Sequence, residues 1–216
     1  MNTSPDNLFD LSNDPAIVED ESLSLKLWPN FVPAAEGREL FRVLMAESPW
    51  RETELQMFGK RIKMPRLTCW YGDADAVYTY SGIRNEPLPW TDCLNHMAER
   101  VRQVTGAEFN SVLLNLYRDG NDSMAWHSDD ERELGPSPVI ASVSLGATRK
   151  FNFRKAKAQA GAPRATRSIE LTDGSLLQMH GDTQRDWQHG IPKAPQVTEP
   201  RINLTFRRVI VRPSQR

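Results

Sequence analysis

The chain has 216 residues, 39% of them hydrophobic and 25% charged, which is enough apolar content for the core of one compact domain. Two cysteines, Cys69 and Cys93, are too few for a disulfide framework or a cysteine metal site, and both are expected in or near the core. No lysine or arginine precedes Lys26 and no long apolar run occurs, so neither a signal peptide nor a membrane partner is expected.

The formal net charge of −1 is unevenly spread. Asp6, Asp10, Asp14, Glu19, Asp20 and Glu21 stand before the first base, so the chain from Lys26 onward carries +5, six units above the whole. Residues 1–22 read as a flexible acidic leader and residues 23–216 as a single domain. The expected protein is a monomer inside the cell, in the cytoplasm if bacterial and in the nucleus otherwise. A mildly basic body is compatible with an anionic partner.

In chain order, Pro33 suits the first turn of a helix running to about Glu47, with Leu40, Phe41, Leu44 and Met45 on one apolar face. Gln56–Lys60 reads as a hairpin tip, where Gly59 lets the backbone turn and Met57 and Phe58 stand together. A second helix is predicted from Thr91, a good N-cap, to Thr105, with Gly106 closing it and Leu94, Met97, Ala98, Val101 and Val104 facing inward. Strands are predicted over Ser111–Arg118, Val139–Leu145, Lys150–Arg154, Arg167–Leu171, Ser175–His180 and Arg201–Val211, between Gly-, Pro- and Asp-rich turns. Helices do not alternate regularly with strands. The fold class is therefore α+β, mainly β, with an antiparallel sandwich or barrel core and the helices covering one face.

His127 and Asp129 are two apart, so on an extended segment they project to one side, and a distant strand can add His189. Two imidazoles and a carboxylate on one side of a metal leave the other side open, as in non-haem Fe(II) oxygenases. His-x-Asp alone is weak evidence, and His180 is a rival third ligand. A second pattern adds weight. Arg201, Asn203, Thr205 and Arg207 share one face of a strand, and two guanidiniums there need an anionic partner, which a dicarboxylic acid would supply. Asn115 and Tyr117, again two apart, could add hydrogen bonds. Arg149, Lys150, Arg154, Lys155, Lys157, Arg164 and Arg167 form a stretch without acids, read either as a phosphate-gripping loop or as a solvated one.

The segments "PRLTCWYGD", "YTYSG", "NLYRDGNDSMAWHSDDERELG", "ASVSLGATRKFNFR", "DWQHGIP" and "PRINLTFR" together resemble the AlkB family of nucleic-acid dealkylating dioxygenases, closest to its DNA-repair branch. The resemblance runs from about Gln56 to Arg208 and implies a double-stranded β-helix, jelly-roll-like core. It implies Fe(II) on His127, Asp129 and His189, and 2-oxoglutarate held by Asn115, Tyr117, Arg201, Thr205 and Arg207, with Asn203 on the same strand face. It also implies an extruded base near Tyr78, Thr79 and Tyr80, with Asp130 and Glu131 favouring a cationic methylated base. The hairpin tip Phe58-Gly59-Lys60 would fill the gap in a duplex and reach its phosphates. The implied reaction consumes O2, converts 2-oxoglutarate to succinate and CO2, and releases formaldehyde from bases such as 1-methyladenine and 3-methylcytosine in DNA. Two rivals stay open: a dioxygenase acting on RNA or a small molecule, and a catalytically silent nucleic-acid-binding module.

Overall fold

The computed structural model describes residues 15–20, 22–57, 60–80, 83–158 and 163–210. An eight-stranded antiparallel sheet forms its backbone. In spatial order it consists of β1 (Ala16–Asp20), β2 (Leu23–Trp28), β12 (Leu176–His180), β9 (Ile140–Gly146), β14 (Arg201–Arg207), β7 (Ser111–Tyr117), β4 (Lys60–Gly72) and β3 (Arg51–Met57). A four-stranded sheet of β11 (Thr166–Leu171), β10 (Arg149–Lys155), β13 (Trp187–Ile191) and β8 (Met124–His127) faces it. The two sheets enclose one apolar cluster that includes Trp70, Phe151, Phe153, Met179 and Trp187. This is the expected jelly-roll-like sandwich.

The helices α1 (Ala34–Glu47) and α2 (Asp92–Thr105) cover the outer face of the large sheet. Leu40 and Leu44 of α1, and Leu94, Met97, Ala98 and Val101 of α2, pack with Leu114, Val143, Leu204 and Phe206 of the sheet. The local chemistry sets the boundaries of α2. Thr91 Oγ1 accepts from the Leu94 amide at 3.4 Å, and Gly106 adopts φ 67°, which ends the helix in a left-handed turn.

Strand β14 lies in the middle of the large sheet, not at an edge, and all seven of its residues are buried. Ile202, Leu204 and Phe206 point to the helices, so Arg201, Asn203, Thr205 and Arg207 point between the sheets. Its register with β7 sets Arg201 opposite Tyr117 and Asn203 opposite Asn115. The strand stops at Arg207, short of Val211, because Val209 and Ile210 turn out to bond Asn110 and the Glu133 carbonyl instead.

Part of the stretch expected as a flexible leader, residues 16–20, is a strand. Ala16–Asp20 pairs with β2 as an edge strand, since Ile17 and Val18 favour extended backbone and Val18 packs on the inter-sheet cluster. Residues 1–14 lie outside the described residues. The predicted hairpin at Gln56–Lys60 is present as the β3–β4 pair, with Met57 opposite Lys60; Phe58 and Gly59 lie outside the described residues.

Candidate active site

Both histidines of the expected triad come from the small sheet. His127 ends β8, and its Cα partner across the sheet is His189 of β13. Their rings meet edge to face with centroids 4.3 Å apart. Asp129 lies two residues beyond the end of β8 and is buried. One donor atom from each of His127, Asp129 and His189 falls within 4.8 Å of the others. His180 is elsewhere, on β12 opposite Ser24, and His96 is exposed on α2.

Each ligand is oriented by a neighbour. His127 Nδ1 stands 3.0 Å from the Ala125 carbonyl, so the tautomer that donates there leaves the Nε2 lone pair for a metal. The Asp129 amide donates to Gln184 Oε1 at 2.9 Å, and Ser128 Oγ donates to the Trp187 carbonyl at 3.1 Å. His189 is stacked on Phe151, with ring centroids 5.2 Å apart. Arg207 donates to Asp129 Oδ1 through Nη2 at 2.6 Å and Nε at 3.2 Å.

These contacts prepare the protonation states that a divalent metal requires. Burial, reinforced by His127 and Arg207, pushes His189 down to about 3, and burial likewise lowers His127, so both imidazoles are neutral at physiological pH. Burial alone would raise the Asp129 carboxyl. The positive field of Arg207, with the two histidines, outweighs it and holds Asp129 at about 2. The site thus offers two neutral nitrogens and one carboxylate, the donor set for Fe(II).

A cavity of about 460 Å³ opens beside the triad, lined also by Asn115, Asn203, Thr205 and Arg207. Asn203 Nδ2 donates to Ser142 Oγ and the Val143 carbonyl, and Thr205 Oγ1 donates to Asn203 Oδ1. Tyr117 and Arg201 are buried next to this wall without lining the cavity, with the guanidinium carbon 5.2 Å from the tyrosine ring centre. Arg201 Nη2 donates to Ser144 Oγ, whereas Nε and Nη1 have no acceptor among the described residues. Burial lowers Arg201 to about 10, so it remains a cation at neutral pH. A buried cation with unused donors fits a carboxylate, and 2-oxoglutarate has one to offer here beyond the one that meets the metal.

Some expected residues are placed differently. Asp130 is exposed, Glu131 leads into a short 3-10 turn over Arg132–Leu134, and neither lines the cavity. Among the described residues Glu86 is the carboxylate on the cavity wall besides Asp129. Tyr78, Thr79 and Tyr80 form β5 (Tyr78–Tyr80), paired with β6 (Ile83–Asn85), but their side chains, like that of Lys60, lie outside the described residues. Of the basic stretch, Arg149 is buried and Arg154 lies over the Trp126 ring at 4.5 Å, so these two do not form a free phosphate-facing row.

Other residues of the site were not assigned to it from the sequence. Arg66 is buried on the cavity wall and donates from Nε to Asn115 Oδ1 at 2.8 Å. Its signal was present: Met64, Arg66, Thr68 and Trp70 alternate along β4, and all four line the cavity. Gln184, on the short helix α3 (Thr183–Asp186), had no such signal.

The family model described as the 2OG-Fe(II) oxygenase superfamily matches residues 24–207. The alpha-ketoglutarate-dependent dioxygenase alkB homolog 3 of Bos taurus is 45% identical over 188 residues, covering 85% of this chain, which spans only 65% of that relative's length. The DNA oxidative demethylase ALKBH2 of Mus musculus is 43% identical, covering 82% of this chain and 76% of its own; the Homo sapiens ALKBH2 is 42% identical, covering 82% and 70%. A solved structure of OsALKBH1 shares the fold, with a TM-score of 0.56 at 16% identity over 85% of this chain and 97% of that one. With its iron-type triad and its buried arginines, the chain belongs to the 2OG-Fe(II) oxygenase superfamily and, within it, to the AlkB homologues.

Proposed function

We propose that this chain is an Fe(II)- and 2-oxoglutarate-dependent dioxygenase that removes N-alkyl groups from DNA bases such as 1-methyladenine and 3-methylcytosine, acting as a monomer. The observation that carries this reading is the triad of His127, Asp129 and His189 opening onto a cavity walled by Asn115, Thr205 and Arg207. Bound Fe(II), 2-oxoglutarate and O2 would supply the oxidation, with succinate, CO2 and formaldehyde as products. His127 and His189 bring neutral imidazole nitrogens and need shed no proton to bind a metal. Arg207 keeps Asp129 ionised and turned toward the same point. Arg201 and Tyr117 would receive the distal carboxylate of 2-oxoglutarate, while Asn115 and Asn203 are held rigid by Arg66 and Ser142 for polar contacts along the cavity. The apolar wall of Phe151, Met179 and Leu113 excludes water from the reacting carbon.

The alkylated base would enter past β3, β4 and the β5–β6 hairpin, with Tyr78, Thr79 and Tyr80 beside it and Asp130 and Glu131 at the rim. The lesion bases named above are cations, so Glu86 on the wall would favour them over the unmodified base. The Phe58-Gly59-Lys60 tip would contact the strand that flanks the extruded base. Among the described residues no helix is long and apolar enough to cross a membrane. Incubating the full chain with methylated single-stranded DNA, duplex DNA, RNA and free nucleosides, and measuring formaldehyde from each, tests the substrate class. Release from DNA at the highest rate supports the reading. Release from RNA or nucleosides alone would replace it.

A further inference from the structure

Arg149 opens β10, is 2% exposed, and does not line the cavity. Its guanidinium carbon nevertheless stands 5.7 Å from the centre of the Tyr117 ring, the same ring that Arg201 approaches to 5.2 Å. Among the described residues every side-chain hydrogen bond of Arg149 goes to a backbone carbonyl: Nη1 to Asp119 at 3.2 Å, and Nη2 to Asp122 at 2.8 Å and Pro192 at 2.7 Å. The nearest carboxylates are engaged elsewhere, Asp122 with Arg118 and Asp119 with the Asn121 amide. Two buried guanidiniums thus share one tyrosine, and neither is ion-paired with a carboxylate among the described residues.

Such an arrangement is costly unless an anion completes it. The carbonyls that Arg149 collects belong to the turn after β7 and the segment after β13. The same two segments are locked to each other: the Ala194 amide donates to the Gly120 carbonyl and the Gly120 amide to the Val197 carbonyl, both at 2.7 Å. Only glycine fits at 120, since a Cβ there would lie 1.8 Å from the Ala194 oxygen. Tyr117 is therefore backed by a rigid base whose centre is a positive charge.

We propose that Arg149 is a positioning residue for 2-oxoglutarate: it fixes Tyr117 against Arg201 and adds positive potential where the distal carboxylate is received. The proposal rests on the reading that Arg201 and Tyr117 receive that carboxylate. Arg149 touches neither the cosubstrate nor the metal. Its effect passes through Tyr117 and through the field, so it acts on cosubstrate affinity rather than on the triad.

Calorimetric titration of 2-oxoglutarate into the Mn(II)-loaded full chain tests this, with Mn(II) affinity measured separately without cosubstrate. Arg149→Gln is expected to weaken 2-oxoglutarate binding by about tenfold or more and Arg149→Lys, which keeps the charge, by less, with Mn(II) affinity within about threefold of wild type in both. In turnover the KM for 2-oxoglutarate rises while kcat at saturation holds. In a Tyr117→Leu background the Arg149→Gln effect shrinks, because the two act as one unit. Wild-type cosubstrate affinity in Arg149→Gln, or parallel loss of Mn(II) and cosubstrate binding, overturns the proposal. Should Arg149→Gln fail to fold, Arg149→Lys decides: unchanged cosubstrate affinity overturns the proposal and a several-fold loss with intact Mn(II) binding supports it. Arg201→Gln separates the two levels, since wild-type affinity there removes the underlying reading, whereas a loss there with none in Arg149→Gln removes only the role of Arg149.

Discussion

Arg207 Nη2 stands 2.6 Å from Asp129 Oδ1, while Asp129 Oδ2 faces His189 Nε2 at 3.6 Å. One oxygen of the carboxylate is thus held by the central strand of the large sheet and the other is turned toward the imidazoles of the small sheet. The ion pair joins the two sheets at the point where the metal would bind.

Removing the arginine should therefore damage more than the cosubstrate clamp. Arg207→Ala leaves Asp129 buried without its main counter-charge, at a cost of about 1–3 kcal/mol of stability. Titrations of Mn(II) and 2-oxoglutarate should both weaken by tenfold or more, as about 1.4 kcal/mol corresponds to each factor of ten. Affinity for an unmodified oligonucleotide should stay near wild type. An unchanged affinity for both metal and cosubstrate would remove Arg207 from the site.

Gln184 is expected to matter although it touches no ligand. Its Oε1 accepts from the Asp129 amide at 2.9 Å and fixes the backbone that carries the carboxylate. Gln184→Ala should reduce metal affinity by about three- to thirtyfold, the range that loss of one buried hydrogen bond produces. Gln184→Glu should also weaken it, because a carboxylate there faces Asp129. Metal titration by quenching of intrinsic fluorescence would read both; wild-type affinity in Gln184→Ala would show that the loop holds itself.

The metal-free protein should lose stability on mild acidification. An ordinary histidine takes up a proton near 6.5, whereas His189, desolvated and close to His127, does so at about 3. Between those values the unfolded chain binds a proton that the folded chain refuses. The stabilisation is thus complete above pH 6.5 and falls as pH drops through the window, by at most about 1.4 kcal/mol per unit. Asp129 acts in the same direction lower down: its folded pKa of about 2 lies below the usual 3.8, so its contribution is present above 3.8 and disappears toward 2. Thermal melts between pH 7 and pH 4.5 should show a falling Tm, with a shallower fall in His189→Gln. Parallel slopes for the two proteins would contradict the assignment.

Strand pattern and spacing made much of the site legible. Alternation in β14 separated Arg201, Asn203, Thr205 and Arg207 from Ile202, Leu204 and Phe206, and the structure places the first set between the sheets and the second against the helices. Thr91 and Gly106 marked the ends of α2 by their local hydrogen bonding and backbone geometry. Direction after a strand end was not legible. Asp130 and Glu131 follow Asp129 directly, yet the chain leads there into a 3-10 turn and neither residue lines the cavity. Long-range partners were hidden for a different reason. Arg66 meets Asn115 across 49 residues and Gln184 meets Asp129 across 55, and neither pairing leaves a local pattern. Arg149 read as one of seven bases in a loop, although its neighbours Phe151 and Phe153 belong to the core. Ile17 and Val18 were masked by the acids around them, which outweighed two β-branched residues in a short strand.

The β3–β4 hairpin carries a test of strand preference. It projects Met57 opposite Lys60, with Phe58 and Gly59 between them in sequence. If Phe58 fills the gap left by an extruded base, Phe58→Ala should depress repair of duplex DNA by about five- to a hundredfold, the equivalent of losing 1–3 kcal/mol of stacking, and leave single-stranded repair nearly intact. Equal losses on both substrates, or a lowered Tm that accounts for them, would assign Phe58 to packing.

The most direct test of the whole account is the mass-spectrometric yield of repaired base and of succinate from an oligonucleotide bearing 1-methyladenine, with Fe(II), 2-oxoglutarate and O2, for the wild-type chain and for Asp129→Ala. The account predicts loss of the methyl group with one succinate per repaired base in the wild type, and neither product above background in the variant. Repair by Asp129→Ala at the wild-type rate, or succinate formation by the wild type without any loss of the methyl group, would contradict it.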